Sequence, residues 1–345
     1  MAASCGRLKL SITIKDVAKK AGVSIATVSH VMHKSRYVSE GVTGRVNQAI
    51  SDLNYYPNLL VGSMRKKKTF TIGLIIPNIS NETFGKLSEN IQRILFEKNY
   101  NLIICNTSNS VDIEIAALRT LLTKKVDGII AIPTTTDSAK FEEIKKMEIP
   151  LIFVDRIISG FEVDTVVIDN FLGTYEAINY LIKELGHKTI GYIDRPSDHS
   201  HSIEQKNGYK KALQENGIII NDNLIVRPSG FDYLAGVDAV KDLIAKNPKI
   251  TAVFAYYDII ALGAMRGIIE AGFKIPDDIS LTGEDNIEFA KVCRPGLTTI
   301  NNSSSYFAEN ATKMFFERIE GIYDGPPREI ICPRELVVRD STKRI

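Results

Sequence analysis

The sequence predicts an α/β protein in two parts: a small all-helical N-terminal unit carrying a helix-turn-helix, and a larger unit made of two parallel-sheet lobes. Three observations predict this. At 345 residues the chain exceeds what one hydrophobic core organises. Residues 1–68 hold twelve Lys and Arg against three Asp and Glu and the remainder thirty-one against thirty-eight, so the net charge of +2 hides two opposite balances. From Thr71 onward, short apolar runs alternate with segments of helical period.

Thr13-Ile14-Lys15-Asp16 has the form of a capping box, in which the Thr hydroxyl and Asp carboxylate satisfy free amides of a first turn. Val17, Ala18 and Ala21 then give an apolar stripe, and Gly22 ends the helix where a positive φ is easiest. Ser24 is placed to cap a second helix, from about Ile25 to Met32, that buries Val28, Val31 and Met32. Its outward residues are Ile25, Ala26, Ser29, His30 and His33. Two short helices joined by a Gly-Val turn make a helix-turn-helix. Val42, Val46, Ile50 and Leu53 supply a third helix that closes a small core. Farther on, TIGLIIP, a helical Thr83–Lys98, NLIICN, a helical Val111–Thr123 and DGIIAIP set a βαβ rhythm. The rhythm repeats after about residue 166 with TVVID, TIGYID, TAVFAYY and ISLTGED, which places the second lobe from there.

Composition narrows the function. A basic small unit on an acidic body suggests a polyanion partner for the first part alone, the alternative being a solvated basic face. Cys5, Cys105, Cys293 and Cys332 form no metal-ligand spacing and read as free thiols of a reducing, cytoplasmic setting. Residues 1–10 lack the apolar stretch of a secretion signal and are expected to be a disordered extension. The absence of GxSxG, P-loop and HExxH patterns argues against an enzyme, and no cofactor or metal is expected.

The run TIKDVAKKAGVSIATVSHVMHKSRYVSEGVTGRVNQAISDLNYYP, Thr13 to Pro57, resembles the headpiece of the LacI/GalR family, and its ATVSHV segment with Arg36 is most similar to the purine repressor branch. TIGLIIPNIS, VDGIIAIP, VDR, LGHKTIGYI, DIIALGA and IPDDISLTGEDN continue the resemblance in family order. The resemblance implies a headpiece over 11–58, a hinge helix or linker over 59–68, and a two-lobed, periplasmic-binding-protein-like core over 69–345. It implies that the chain crosses between lobes three times, the third crossing returning the helix around Ser303–Gly321 to the first lobe. It further implies DNA contacts from Thr13, Ser24, Ile25, Ala26, Thr27, Ser29, His30, His33 and Arg36, with Val61, Met64 and Arg65 in the hinge. Chemistry supports these unevenly. Arg36 suits a bidentate contact to guanine and His30 a purine acceptor, whereas Ile25 and Ala26 offer only apolar contact. The hydroxyls of Thr27 and Ser29 suit phosphates or, equally, capping and packing. Met64 stands where the family drives a Leu wedge into the minor groove. The Arg65–Lys68 run fits phosphate binding or a soluble linker. Gly41, Gly44 and Gly62 each cost a helix about 1 kcal/mol, which predicts a marginal headpiece ordered chiefly on DNA.

In open parallel sheets ligands sit beyond the carboxyl ends of the strands. The polar and aromatic residues at those ends are Asn78, Thr83, Phe84, Asp155, Arg156, His199, His201, Gln205, Phe231, Tyr257 and Asp285. Carboxylates, a guanidinium and rings together suit a polyhydroxyl ligand, so a carbohydrate effector is expected, with a nucleobase, nucleoside or partner protein as the alternative. For Asp155, Arg156 and Asp285 the other reading is a salt bridge or cap. Asp258 reads as the N-cap of the DIIALGA helix. Placed on the purine repressor branch without gaps, His199, His201 and Gln205 occupy positions carrying Arg, Thr and Arg. Two cations are replaced, which argues against a purine effector. Glu284, where the family usually has an aromatic residue, adds an acceptor near the cleft. A metal held by His199 and His201 with Asp198 or Glu204 is the alternative for that loop. The expected protein is a homodimeric repressor on a pseudo-palindromic double-stranded operator, switched by a small molecule. An exported sugar-binding protein would share the large unit but require a signal peptide and no headpiece.

Overall fold

The computed structural model describes residues 12–33, 35–55, 68–135, 137–142, 146, 149–196 and 200–345. It separates into two compact units, 1–69 and 70–345.

The first unit contains helices α1 (Ile14–Ala21), α2 (Ile25–His33) and α3 (Glu40–Leu53). Gly22 ends α1 at φ 65°, the left-handed conformation that lacks a steric penalty only for glycine. The expected capping box forms at the start of α1: the Thr13 side chain meets the Asp16 amide and the Asp16 carboxylate accepts from the Thr13 amide at 2.8 Å. The Thr13 hydroxyl also donates to that carboxylate at 2.7 Å. Ser24 accepts from the Thr27 amide at 3.1 Å, capping α2 as its position predicts. Val17, Ala18, Ala21, Val28, Val46, Ala49 and Tyr55 form the buried centre, with Val31, Met32 and Ile50 packed around it. Such a core is small, and the surface pair Lys20–Asp52, at 2.8 Å, adds little to it.

In the second unit, β1 (Thr71–Ile76), α4 (Glu82–Glu97), β2 (Asn101–Asn106), α5 (Val111–Thr123), β3 (Gly128–Ala131), β4 (Leu151–Val154) and β5 (Asp164–Ile168) build the first lobe. The chain then enters the second lobe with α6 (Asn170–Asn179), β6 (Ile190–Ile193), α7 (Ser200–Glu215), β7 (Ile225–Val226), α8 (Tyr233–Lys246), β8 (Ala252–Ala255), α9 (Asp258–Glu270), β9 (Ser280–Asp285), α10 (Glu288–Val292) and β10 (Thr298–Asn302). Helix α11 (Ser304–Ile319) and β11 (Glu329–Cys332) return to the first lobe, and β12 (Arg334–Val337) ends in the second.

Among the described residues the sheet orders are β11-β5-β4-β3-β1-β2 and β12-β10-β9-β8-β6-β7. Every pairing is parallel except β12 against β10. Helices cover both faces, which is why the central strands read as unbroken apolar runs and not as alternation. Ile72, Leu74 and Ile76 of β1 pack on the face shared with α4 and α11, while Ile75 joins the opposite face, shared with α5.

One expectation is corrected. TVVID does not open the second lobe, because β5 pairs with β4 and β11 in the first sheet. A run of strand–helix units gives no sign of which sheet a strand joins, and here the first crossing comes one strand later. Three crossings do occur, after β5, after β10 and at Pro333, and α11 lies in the first lobe as the resemblance implies.

Helices α8 and α9 approach closely through glycines. A Cβ on Gly263 would lie 2.0 Å from the Tyr233 carbonyl oxygen, and one on Gly236 2.2 Å from that of Ile260. Backbone cannot yield as a flexible side chain does, so Gly263→Ala is expected to lower the unfolding free energy by about 1–3 kcal/mol, as overpacking does. Urea denaturation of the variant against the wild type measures it.

Candidate functional site

On the helix-turn-helix, Ile25 and Ala26 at the start of α2 are exposed, Thr27, Ser29 and His30 half-buried, and Thr13 and Arg36 exposed. Ile25 is 44% exposed although apolar, whereas Val28 on the same helix is fully buried. A methyl-rich surface on the N-terminal turn of a second helix suits contact with a thymine methyl in a major groove. Ser24 and Thr27 bond to each other through their hydroxyls at 2.9 Å, and the His30 ring bonds to the Ser35 hydroxyl at 2.9 Å. The His30–Ser35 bond links α2 to the segment that presents Arg36. His33 closes α2, with its side chain outside the described part, and Val61, Met64, Arg65 and His199 lie outside the described residues altogether.

In the large unit, the carboxyl ends of the two sheets converge on a cleft. One cavity of about 230 Å³ is lined by Thr83, Lys86, Asp285, Asn302 and Ser304 among others. It adjoins a second that shares Thr83, Asp285, Asn302 and Ser304 and adds Phe84, Asp155, Arg195 and Tyr257. Asp155 follows β4 of the first sheet and Asp285 ends β9 of the second. Both hold positive φ, 69° and 115°, in a region non-glycine residues rarely adopt, and such strain concentrates at binding sites. Burial pushes the Asp285 carboxyl well above the usual carboxylate range, with the Glu284 and Asp258 charges acting in the same sense. Asn302 opposes this by donating to it at 2.8 Å. The Thr83 hydroxyl is buried without a hydrogen-bond partner among the described residues, and it lines both cavities.

The remaining expected residues are placed differently. Asn78 turns its side chain back to accept from the Ser80 amide at 2.9 Å, and Phe231 is half-exposed against the edge of Tyr256. Neither lines the cleft. Arg156 donates to the Pro133 carbonyl at 2.9 Å and pairs with Asp155 at 3.8 Å, so it braces the loop after β3. His201 is buried, and burial pushes its pKa down to about 4, with the Arg195 and Arg156 charges aiding and Asp155 opposing. Gln205 is fully buried and bonds other protein groups. Asp258 is not an N-cap. It is the first residue of α9, and its carboxylate accepts from the Thr299 hydroxyl at 2.6 Å and the Ile287 amide at 3.0 Å, tying β10 and the loop after Asp285 to that helix.

Two residues that sequence reasoning did not single out, Arg195 and Arg334, stand at the centre together with Glu284. Arg195 donates through Nε to Gln205 at 2.9 Å and through Nη1 to the Tyr257 hydroxyl at 2.7 Å, its guanidinium 4.5 Å from the Tyr257 ring centre. Burial opposes its charge, yet the Tyr257 and Glu284 oxygens raise its pKa overall. Glu284 is no free acceptor, because it is ion-paired with Arg334 and accepts from Gln205 at 2.7 Å. Arg334 also donates to the Asp169 carbonyl at 3.2 Å and the Asn302 side chain at 2.9 Å. A signal for Arg195 did exist: LIFVDR and IGYIDR both end a strand in Asp-Arg.

Two family profiles match this chain: "Bacterial regulatory proteins, lacI family" over residues 13–58, and "Periplasmic binding proteins and sugar binding domain of LacI family" over residues 69–337. The chain belongs to the LacI family. Among its relatives, the HTH-type transcriptional repressor PurR of Vibrio atlanticus (strain LGP32) is 34% identical over 338 residues, covering 96% of this chain and 99% of the relative. The ribose operon repressor of Escherichia coli (strain K12) is 34% identical over 308 residues, covering 89% and 93%. A crystal structure of a LacI family transcriptional regulator from Enterococcus faecium with bound ribose superposes with a TM-score of 0.71 at 30% identity, covering 80% of this chain and 99% of that one. All three are named as repressors or transcriptional regulators. Among the described residues no helix of this LacI-family chain is long and apolar enough to cross a membrane.

Two outcomes follow for this family member. His201 binds its proton more weakly folded than unfolded, so it contributes stability at neutral pH that is lost as pH falls from about 6.5 towards 4. His201→Gln is expected to flatten that part of the stability–pH curve, which thermal melts between pH 4 and 7 would record. Arg36→Ala is expected to relax preference at one operator position by about 1–3 kcal/mol; uniform weakening across all sequences in a binding-site selection would assign Arg36 to phosphate.

Proposed function

We propose that this chain is a sequence-specific transcriptional repressor that grips a pseudo-palindromic operator as a homodimer and is controlled by a small sugar or sugar derivative held between its lobes. The observation carrying this reading is the pair Asp155 and Asp285, which come from different sheets, share one cavity and are both held at positive φ. A ligand bridging them binds both lobes at once. It therefore favours one lobe arrangement over others, which is what an effector must do to shift an equilibrium. Coupling of about 1–3 kcal/mol between cleft and operator is enough for control. Thr13, Ser24, Ile25, Ala26, Thr27, Ser29, His30, His33 and Arg36 form the proposed DNA surface, extended by Val61, Met64 and Arg65.

For the effector, the cleft combines carboxylates, a guanidinium, a buried hydroxyl and the rings of Phe84 and Tyr257. Acceptors and donors take vicinal hydroxyls while a ring covers an apolar sugar face. Relatives named for ribose agree with this. A nucleobase is the second reading, favoured by the PurR relative, but Gln205 lacks the cation that the purine branch carries there.

The test joins two measurements. Binding to genomic fragments should exceed binding to random duplex and fall steeply with salt, since phosphate contacts release counterions. A thermal-shift panel of D-ribose, D-glucose, D-fructose, hypoxanthine and guanine should select a sugar, stabilising by about 2.7 kcal/mol at a hundred times its Kd. A response to hypoxanthine or guanine alone would select the second reading. Indifference to sequence at every salt concentration would remove the first.

A further inference from the structure

We infer that Arg195 supplies the cation of the effector cleft, displaced from position 205, and that Asp155 and Asp285 beside it make the site take an uncharged polyhydroxyl ligand over the phosphorylated form of the same ligand. The inference rests on the effector reading above and deepens it.

Arg195 is only 6% exposed, yet it lines the cavity together with Asp155 and Asp285. Its position is fixed from behind. The Gln205 amide accepts from the guanidinium with its oxygen and donates to Glu284 with its nitrogen, so neither end is free to turn. Glu284 is in turn held by Arg334. The Tyr257 ring packs against the other side of the guanidinium. A guanidinium carries five N–H donors, and the bonds to Gln205 and Tyr257 use two of them.

The purine branch carries Arg at position 205. An arginine there in this chain would put a second guanidinium where Gln205 now bonds the first, two like charges in a water-poor cleft. The two positions are therefore alternative seats for one cation. Glu284, acidic where the family has an aromatic ring, belongs to the same rearrangement, since it is the group that orients Gln205.

Charge then sets the ligand class. Around the cavity Arg195 faces two carboxyl groups, Asp155 and Asp285, while Arg334 is paired with Glu284. Donors and acceptors alternate across a small distance, which suits vicinal hydroxyls that both donate and accept. The lysines of the adjoining cavity, Lys86 and Lys291, are already paired with Glu82 and Glu288, so a phosphate dianion at Arg195 would gain one cation and meet two carboxyl groups. Of the two cations of the purine branch that this sequence replaces, Arg195 restores one, so a planar, carbonyl-rich ring is left one charged donor short.

The test uses the full chain with three matched pairs: D-ribose and D-ribose 5-phosphate, D-glucose and D-glucose 6-phosphate, D-fructose and D-fructose 6-phosphate. Melting temperatures are followed by fluorimetry for wild type, Arg195→Ala, Gln205→Arg and the double variant R195A/Q205R, each against its own ligand-free value. The wild type is expected to respond to an uncharged sugar more strongly than to its phosphate. Arg195→Ala should weaken that affinity roughly tenfold or more. Gln205→Arg alone should melt lower without ligand, and the double variant should recover both stability and part of the sugar response. Arg195→Gln, which keeps a donor towards Gln205, replaces the alanine variant if that one does not fold.

Wild-type affinity retained in both Arg195 variants would overturn the assignment of Arg195 while leaving the cleft reading intact. Tighter binding of a phosphate than of its parent sugar would overturn the ligand class. No wild-type response to any of the six would overturn the cleft reading and this inference with it, even if Gln205→Arg still melted lower.

Discussion

The arrangement of the large unit depends on one buried guanidinium. Arg334 opens the last strand, and it reaches the Asp169 carbonyl, where the chain first leaves the first lobe, and the Asn302 side chain, where it returns. With its own position just after Pro333, it touches all three passages between lobes. A charge so placed needs a counter-ion, and Glu284 supplies it from β9. Pairs of this kind add little net stability, because desolvation offsets their attraction, but removing one partner strands the other at a cost of about 3–5 kcal/mol. Gly173 completes the fit: a Cβ there would lie 2.4 Å from the Arg334 Nη1. The pair therefore specifies a geometry more than it contributes stability.

From that anchor the polar groups run outward without a break, through Gln205 to Arg195 and Tyr257 at the cleft. A buried polar chain rigidifies a site when every member is satisfied and weakens it otherwise. Here the links from Glu284 outward are hydrogen-bonded, while Arg334 Nε and one Glu284 oxygen have no hydrogen-bond partner among the described residues and the ion pair alone joins those two side chains. The opposite wall is simpler, with Phe84 and Thr83 at the start of α4, capped by the Asn81 side chain. One wall of the cleft is thus a network and the other a helix end.

Much of this was legible in the sequence. Helix α5 falls at the bounds its pattern gave, Val111–Thr123, and β1, β2, β3, β8 and β9 lie within the apolar runs read as strands. The Gly22 stop and the Ser24 cap follow from local chemistry alone, and so were readable. What was not readable depends on distance in the chain. β5 joins the first sheet by pairing with β4 just before it and with β11 more than 150 residues later, and periodicity carries no information on either pairing. Asp258 was read as a cap because it precedes a helical run, but Thr299 and the Ile287 amide claim its oxygens. Glu284 was read as facing ligand because nothing local revealed Arg334. The residues that matter most for the cleft are those whose partners lie far away, and a short repeat, Asp-Arg after two strands, was the one local trace of them.

Because the backbone passes between the halves three times, neither half is a continuous stretch of gene. The first lobe is assembled from 70–168 and 304–332, the second from about 170–302 and 334 onward. No single cut separates them into independent cassettes. Exchanging ligand preference with a sister protein by swapping one segment would carry strands of one sheet without their neighbours. The joint ahead of residue 70 is different, because there each compact unit is one continuous stretch that can be exchanged whole.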